Sequence, residues 1–453
     1  MFGNEPSRRA LLLGAAALSV TRGASASARP QRGGKLAMRV PFAIRAFDPH
    51  WLGDVGSMLM SPALFETLYR ATPEGFEPVL AEGMPTTHAK GLHVPLRQGL
   101  LTARGRRLDA GHVLTSLERA RRSSGRFVLH GIPTPTLTMS ETSYEGVRES
   151  KSGLVFAIKD EARLLSALAS PLTAIVGPSF TPTAPDGTGP FLAERSGDDT
   201  WTLRRNIRAA AGPSLLDTVQ VRRAATLSDS LRAFETGEDQ IAWHGLGLHD
   251  ARPGARAFDA GAAGVLALAV GRDATARDVP GVAQQLCDAL PPQRLAHLNL
   301  GSWSNIGAPA WTGPAGQLLV EADSAYLREV AETVAALVSN PGHEITVRAL
   351  PANELADRLR TRAFLLALTV VRPLWPTPLG SYGALLSLSD PEHAASSLTR
   401  PPKVQNARTM TRSLRVGMLG EVRWRGGVAA EVQLPLTPGG LDLGAASFTR
   451  RRK

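Results

Sequence analysis

The chain has 453 residues and a formal net charge of +11, from 51 lysines and arginines against 40 aspartates and glutamates. Only six of the basic residues are lysine, and the arginines fall in short scattered groups (Arg119-Ala120-Arg121-Arg122, Arg204-Arg205) without interleaved aromatics, which speaks against a nucleic-acid surface. The single cysteine, Cys287, excludes an intramolecular disulfide, and the stretch around it, "VAQQLC", reads as a helix face with a buried thiol.

The chain opens with Ser7-Arg8-Arg9, an almost unbroken apolar run over 10–20, and Ala24-Ser25-Ala26-Ser27-Ala28, which offers two A-x-A cleavage sites. This is the order of a secretory leader, and the run is too short for a bilayer, which takes roughly 20 apolar residues. The paired arginines resemble the twin-arginine form of export signal, with an ordinary Sec leader as the alternative. A signal over 1–28, cleavage near Ala28 and a periplasmic destination are expected. No cysteine stands near the cleavage site and no later stretch suits a membrane span, so no stable membrane anchor is expected. Loss of the leader removes three arginines and one glutamate and leaves 425 residues at +9, enough for two or three domains. The terminal Arg450-Arg451-Arg452-Lys453 reads as a solvated tail.

Residues 34–39 read as a short strand and 45–49 as a turn. Residues 61–69 carry Leu64, Phe65 and Leu68 at helical spacing, and 91–97 alternate like a strand in which Pro95 implies an edge. Asp109 is a suitable N-cap for a helix with Val113, Leu114 and Leu117 on one side. Residues 123–152, rich in Ser, Gly, Pro and Thr, read as irregular, followed by a strand over 154–158 and a helix over 161–169. "GTGPFLAERSGDDTWTLRRN", residues 187–206, reads as a tight entry whose glycines permit positive φ, then a hairpin around Gly197-Asp198.

The clearest architecture lies between 317 and 371. A short strand over 317–321 precedes a helix capped by Asp323 or Ser324, with Leu327, Val330, Val334, Leu337 and Val338 on one face. Asn340-Pro341-Gly342 stops it, 344–350 alternate, and Asn353 caps a second helix through Arg362. "AFLLALTVV", 363–371, is continuously apolar, as a strand buried on both faces is. Strand, helix, strand, helix, strand implies a parallel α/β unit, which binds ligands at the carboxyl ends of its strands. There stands Arg372-Pro373-Leu374-Trp375-Pro376, either a cation and an indole facing a cleft or a proline-stiffened loop with Trp375 packed into it.

Several stretches, in order, resemble the extracellular solute-binding proteins of the oligopeptide, dipeptide and nickel type. Ala46-Phe47-Asp48-Pro49 with Ala63-Leu64-Phe65-Glu66-Thr67-Leu68 is similar to that family's opening block. Leu80-Ala81-Glu82 through Leu96-Arg97-Gln98-Gly99, then Leu108-Asp109-Ala110 through Ser116-Leu117-Glu118-Arg119, is similar to its longest signature. The Gly187-Thr188-Gly189-Pro190-Phe191 hairpin with its trailing Leu203-Arg204-Arg205-Asn206, the helix and strand over 230–241, and the second lobe over 317–386 complete the match.

The resemblance implies an α/β, two-lobed periplasmic binding protein of type II, cluster C-like, with mixed sheets in each lobe and an inserted small α+β domain. It implies lobe I at 29–62, 172–250 and 405–453, the last including the basic tail. The inserted domain falls at 63–171 and lobe III at 251–404. It places the 187–206 hairpin beside the crossing between lobes, as a rigid support for the hinge. It further implies a monomer that closes on a small-molecule or peptide-like ligand and presents it to the permease subunits of an ABC transporter.

This sequence departs from the family at residues that matter. Leu365 stands where the family's "F-D-l" strand has its aspartate, and Leu101-Thr102-Ala103-Arg104-Gly105 lacks the aromatic and acid of "k-F-x-D-G". Peptide-binding members carry "W-x-x-D" after the buried strand, with the acid pairing the peptide ammonium, and 372–376 holds no acid. The expected ligand is therefore peptide-like or, with Arg372 as the anion partner, an anionic amphipathic molecule. Trp243, His244, Trp303, Asn305, Arg372 and Trp375 are the expected ligand-binding residues, the indoles by stacking. A non-transport periplasmic role, as sensor, chaperone or assembly partner, is the alternative.

No cofactor and no metal are expected. His244, His249 and Asp250 in "WHGLGLHD" invite a metal reading, but their spacing matches no recognised site. No G-x-S-x-G, H-E-x-x-H or glycine-rich phosphate loop is present, and no enzyme is expected. If the twin arginines are read as such, replacing Arg8 and Arg9 together by lysine leaves uncleaved precursor in the cytoplasm, scored by fractionation and immunoblot. Unchanged periplasmic delivery reduces the leader to the Sec type.

Overall fold

The computed structural model describes residues 30–144, 147–243, 252–298, 300, 303–304, 306–375, 377–398 and 403–449. A ten-stranded mixed sheet forms its spine. In chain order the main elements are β1 (Lys35–Val40), α1 (Val55–Leu64), β2 (Thr86–His88), β3 (Gly91–Pro95), α2 (Ala110–Arg122), β4 (Thr136–Tyr144), β5 (Val147–Phe156) and α3 (Glu161–Leu168). They continue with β6 (Phe191–Gly197), β7 (Thr200–Arg205), β8 (Thr218–Arg223), α4 (Leu227–Glu235), β9 (Ile241–Trp243), β10 (Arg256–Val270), α5 (Val282–Ala289) and β11 (Gly316–Glu321). The last are α6 (Ala325–Val338), β12 (Ile345–Leu350), α7 (Ala352–Thr361), β13 (Leu366–Val371), α8 (Pro378–Ser389) and β14 (Val416–Val428).

The spine runs β12-β11-β13-β10-β14-β9-β1-β8-β7-β6. At one end β11 is parallel to both β12 and β13, the α/β unit expected from 317–371. At the other, β1 is parallel to β8 and to β9. The two parallel sets are joined by the antiparallel pair β10 and β14, so the mixed sheets of the two lobes are one continuous sheet. A separate four-stranded sheet, β2-β3-β5-β4, forms the inserted α+β portion with α2 and α3.

Alternation along β13 explains its unbroken apolar run. Leu366, Leu368 and Val370 enter a core shared with the first lobe, whereas Ala367 and Val371 enter a second core shared with the inserted sheet and α8. Side chains of a strand point to opposite faces in turn, so a strand with a core on each side is apolar at nearly every position, here all but Thr369.

Local structure differs from the sequence reading in four places. The helix read at 61–69 begins earlier, because Asp54 caps it through the Ser57 amide, and it ends at Leu64 with Phe65 extended. Pro95 is not on an edge strand: β3 lies between β2 and β5, and Pro95 ends it beyond the reach of the short β2, where its missing N–H costs nothing. The segment 123–152, read as irregular, supplies β4 and most of β5, whose long hairpin pairing overrides the local turn composition. Pro351, not Asn353, precedes α7.

The 187–206 hairpin forms as β6 and β7, and its glycines serve a different purpose from the one read from sequence. Neither Gly187 nor Gly189 takes positive φ. Both lie against the C-terminal end of α1, where a Cβ on Gly187 would stand 2.3 Å from the Leu64 carbonyl oxygen and one on Gly189 2.6 Å from the Leu64 carbonyl carbon. The Gly189 amide donates to that same oxygen at 3.1 Å, and the Asn206 side chain donates back to Gly189 O at 2.8 Å. The hairpin forms the outer edge of the first-lobe half of the sheet, away from the β10–β14 crossing beside which it was expected. Gly189→Ala is expected to cost about 1–3 kcal/mol by overpacking against this helix end, whereas Gly212→Ala, with open space around its Cβ, is limited to the strain of its positive φ. Chemical denaturation of both variants checks this.

Candidate functional site

The carboxyl ends of the parallel strands from the two halves of the spine meet along one seam. From the first lobe come the residues after β1 (Pro41 to Asp48) and Trp243 at the end of β9; from the second come Glu321 to Tyr326 after β11 and Arg372 after β13. The Tyr326 amide, in the first turn of α6, donates to Pro41 O at 3.1 Å, and Ser324 Oγ reaches the same oxygen at 3.4 Å. Arg45 pairs with Asp323 across the seam, and Arg328 donates to Ala225 O at 3.2 Å.

Arg372 is buried at the centre of this contact. Its guanidinium donates to Pro49 O and Ser57 O, both at 3.0 Å, and to Ser61 Oγ at 3.3 Å, while its amide donates to Leu52 O at 2.9 Å. Burial lowers its pKa to about 10, with the Asp54 and Asp48 charges opposing the fall, so it remains a cation at neutral pH. Expected to meet a ligand anion, Arg372 is here spent on the chain's own carbonyls. A buried guanidinium needs acceptors for its N–H groups, and the backbone of 49–61 supplies them before any ligand does.

Beside it, Asp48 holds Arg119 through both carboxylate oxygens at 2.6 and 3.0 Å. Burial raises the Asp48 carboxyl, but the Arg119 bonds and charge outweigh it and keep the pKa below the ordinary range. His50 is fully enclosed, with Nε2 at 2.7 Å from Ala174 O and Nδ1 at 2.7 Å from Arg119 Nη1. Burial pushes its pKa down to about 4, which makes it a neutral ring donating from Nε2 and accepting at Nδ1.

The expected indoles are also engaged. Trp243 is 2% exposed, with Phe42 edge-on at 5.1 Å between centroids, Trp424 at 5.3 Å and Tyr326 at 6.4 Å, so its faces are covered in this conformation. Trp375 donates to Ser166 O at 3.1 Å and pins the loop to α3, the packing alternative read from sequence. Trp303 donates to Leu290 O at 3.0 Å and carries the Arg408 guanidinium 5.0 Å above its ring, against Gly420 of β14. His244, Asn305 and the His249-Asp250 pair lie outside the described residues. Among the described residues no group of three or more His, Cys, Asp or Glu has the arrangement to hold a metal ion, and no helix is long and apolar enough to cross a membrane. Cys287 is buried as read, with its thiol pushed up to about 12 by burial.

The sequence reading missed Phe42, Tyr326, Glu321 and Trp424. The same rule that singled out Arg372, position just beyond a strand's carboxyl end, applies to Phe42 after β1 and to Tyr326 after β11; Trp424, inside β14, carries no such signal. At the mouth of the seam an open cup of about 510 Å³ is lined by Arg45, Asp323, Asp199 and Arg223 among others, and its charges are paired with one another.

Comparison with solved structures supplies the class. The chain has the fold of the periplasmic solute-binding proteins of the oligopeptide and nickel type. The oligopeptide-binding protein AppA from Bacillus subtilis, in complex with a nonapeptide, is 13% identical with a TM-score of 0.69, covering 93% of this chain and 100% of that one. The ABC transporter-associated periplasmic binding protein DppA from Helicobacter pylori, in complex with the peptide STSA, is 15% identical with a TM-score of 0.69, covering 93% and 99%. The binding protein AgaA from A. tumefaciens R10, in complex with agropinic acid, is 14% identical with a TM-score of 0.68, covering 92% and 99%. All three are binding proteins. No protein-family model and no curated protein matches the sequence.

Glu321 gives the seam a pH dependence. Burial, reinforced by the Asp54 charge and opposed by Arg45, raises its carboxyl from 4.5 to about 7. A carboxyl raised on folding contributes stability that is whole below its unfolded pKa and lost as pH rises through the folded one. The protein should therefore lose stability between about pH 4.5 and 7 relative to Glu321→Gln, on the order of 1 kcal/mol for this half-buried side chain. Thermal melts of both proteins across that range check the sign.

Proposed function

We propose that this chain is an exported solute-binding protein that captures a small ligand between its two lobes and presents it to the permease subunits of an ABC importer. The observation that carries the reading is the seam: two α/β halves oppose the carboxyl ends of their parallel strands, and in the ten-stranded spine only β10 and β14 join the halves. That arrangement lets one half swing against the other about two strands and encloses whatever lies between. We place lobe I at 29–62, 172–250 and from β14 onward, the inserted domain at 63–171 and lobe III at 251–415, a later return than the 405 expected from sequence. The return to the first lobe runs through β14 itself, because Arg408 and Thr411 are tied to Asp288 and Gln284 of α5.

The ligand class follows from the polarity of the seam. No acid stands at 372–376 to receive a peptide ammonium. The N-terminal end of α6 faces the first lobe, and a helix N-terminus favours negative charge. We infer an anionic amphipathic ligand, with Trp243 on its path when the lobes part and Arg372 available to it only if opening frees the guanidinium. His244, Asn305, Trp303 and Trp375 stand as proposed contacts on sequence position alone. The second reading, a periplasmic sensor, chaperone or assembly partner, is favoured by Arg372, which ties the lobes together through the chain's own acceptors.

Small molecules released from protein purified out of its own periplasm, identified by mass spectrometry, test the reading directly. A released solute that also compacts the apo protein in small-angle scattering supports capture. A chain that releases nothing and keeps one shape favours the second role. In a thermal-shift screen, di- to pentapeptides should not stabilise the protein and amphipathic acids should. Ligand at 100 times its Kd adds about 2.7 kcal/mol, and strong stabilisation by unmodified peptides would restore a peptide substrate.

A further inference from the structure

Four aromatic rings close on one another at the seam. Phe42, Trp243 and Trp424 belong to the first-lobe side, and Tyr326 comes from the first turn of α6 in the second. Phe42 touches Trp243 and Tyr326 with centroids 5.1 and 5.2 Å apart, and Trp243 touches Trp424 and Tyr326 at 5.3 and 6.4 Å. None is more than 2% exposed. Within this box two polar atoms are sealed from water and have no hydrogen-bond partner among the described residues: Tyr326 Oη and Trp424 Nε1.

Other indoles of the molecule are paired. Trp201, Trp303, Trp311 and Trp375 each donate their indole N–H to a backbone carbonyl. Buried tyrosine hydroxyls and indole N–H groups ordinarily find a partner, and two orphans in one cluster call for an explanation. The box is divided between the lobes, so parting them withdraws Tyr326 from Phe42 and Trp243.

We propose that these four residues form a ligand subsite that takes a flat apolar group bearing an acceptor oxygen, such as an aromatic carboxylic acid. The inference rests on the solute-binding reading, since a ligand enters only when the lobes part. On reclosure the ligand's ring replaces the Tyr326–Trp243 and Tyr326–Phe42 contacts, and its oxygen accepts from Trp424 Nε1 and Tyr326 Oη. The indole N–H can only donate, so an aromatic amine with no acceptor leaves Trp424 unsatisfied. The α6 N-terminus adds a favourable field for a carboxylate; its Tyr326 amide is bonded to Pro41 O in the closed form.

The test uses the full mature chain with indole-3-acetate and phenylacetate, each beside its amine counterpart (tryptamine, phenethylamine), which has no acceptor oxygen. Binding is read by calorimetry and by intrinsic tryptophan fluorescence. At least one acid should bind, its amine about tenfold or more weaker. Tyr326→Phe and Trp424→Phe, which keep a ring and remove the donor, should each weaken the acid about tenfold, with melting curves reporting their folding. Trp51→Phe, at an indole 47% exposed and outside the box, should bind as the parent does. The subsite is overturned if no acid binds, if acids and amines bind alike, or if both phenylalanine variants retain parental affinity. A solute released from the native protein and bound equally by both variants removes the subsite and leaves solute capture standing. No released solute together with no shape change under any probe removes both.

Discussion

The pairing of β10 with β14 is the constraint on which the rest of the structure depends. These strands of 15 and 13 residues carry the sheet from one parallel set to the other, and they cannot do so flat. Their register shifts between Asp259 and Ala262, between Ala262 and Gly264, and again between Leu266 and Ala267. Each irregularity adds twist and bends the strand, which turns the two strand sets until their carboxyl ends face each other. The approach is close enough to demand glycine at Gly426, where a Cβ would stand 1.8 Å from Ala242 O at the root of Trp243. The bend and the placing of the aromatic box are thus one geometric problem.

Across the seam, charge and apolar packing act in different ways. Arg372 has left water altogether, and its cost is offset by three side-chain donations and by the nearby Asp48 and Asp54 charges. That makes it an internal cross-link: directional, demanding, and lost all at once when 49–61 moves away. The aromatic box is less exacting, because ring contacts tolerate sliding and exchange for another flat surface. On the proposed reading, a cleft closed by one specific cation and lined by one adaptable apolar site stays shut alone and exchanges its rings for a ligand. The proposed chemistry of capture rests on this division of labour between Arg372 and the box around Trp243.

Much of the fold was legible in local pattern. The 317–371 unit, the Ser324 cap, the doubly buried β13 and the 187–206 hairpin follow from periodicity and capping, which operate over a few residues. The failures lie where a distant partner decides. Residues 123–152 look like loop until β4 pairs with β5, and the glycines at 187 and 189 look like turn formers until the Leu64 carbonyl arrives beside them. The candidate site was legible in position and not in use. Arg372 does stand beyond a strand's carboxyl end, yet its donors are taken, and Trp243 is walled in by rings from three separate segments.

The sequence alone thus determined the strands and helices of the 317–371 unit, the α/β class, the resemblance to two-lobed solute-binding proteins and the absence of an acid at 372–376, all properties written in neighbouring residues. Tertiary structure alone decided what the buried cation pairs with, which rings meet Trp243, and which polar atoms are left without partners. The reason is distance along the chain. Arg372 meets Pro49 across 323 positions, and Phe42, Trp243, Tyr326 and Trp424 are brought together only by the bent pairing of β10 and β14.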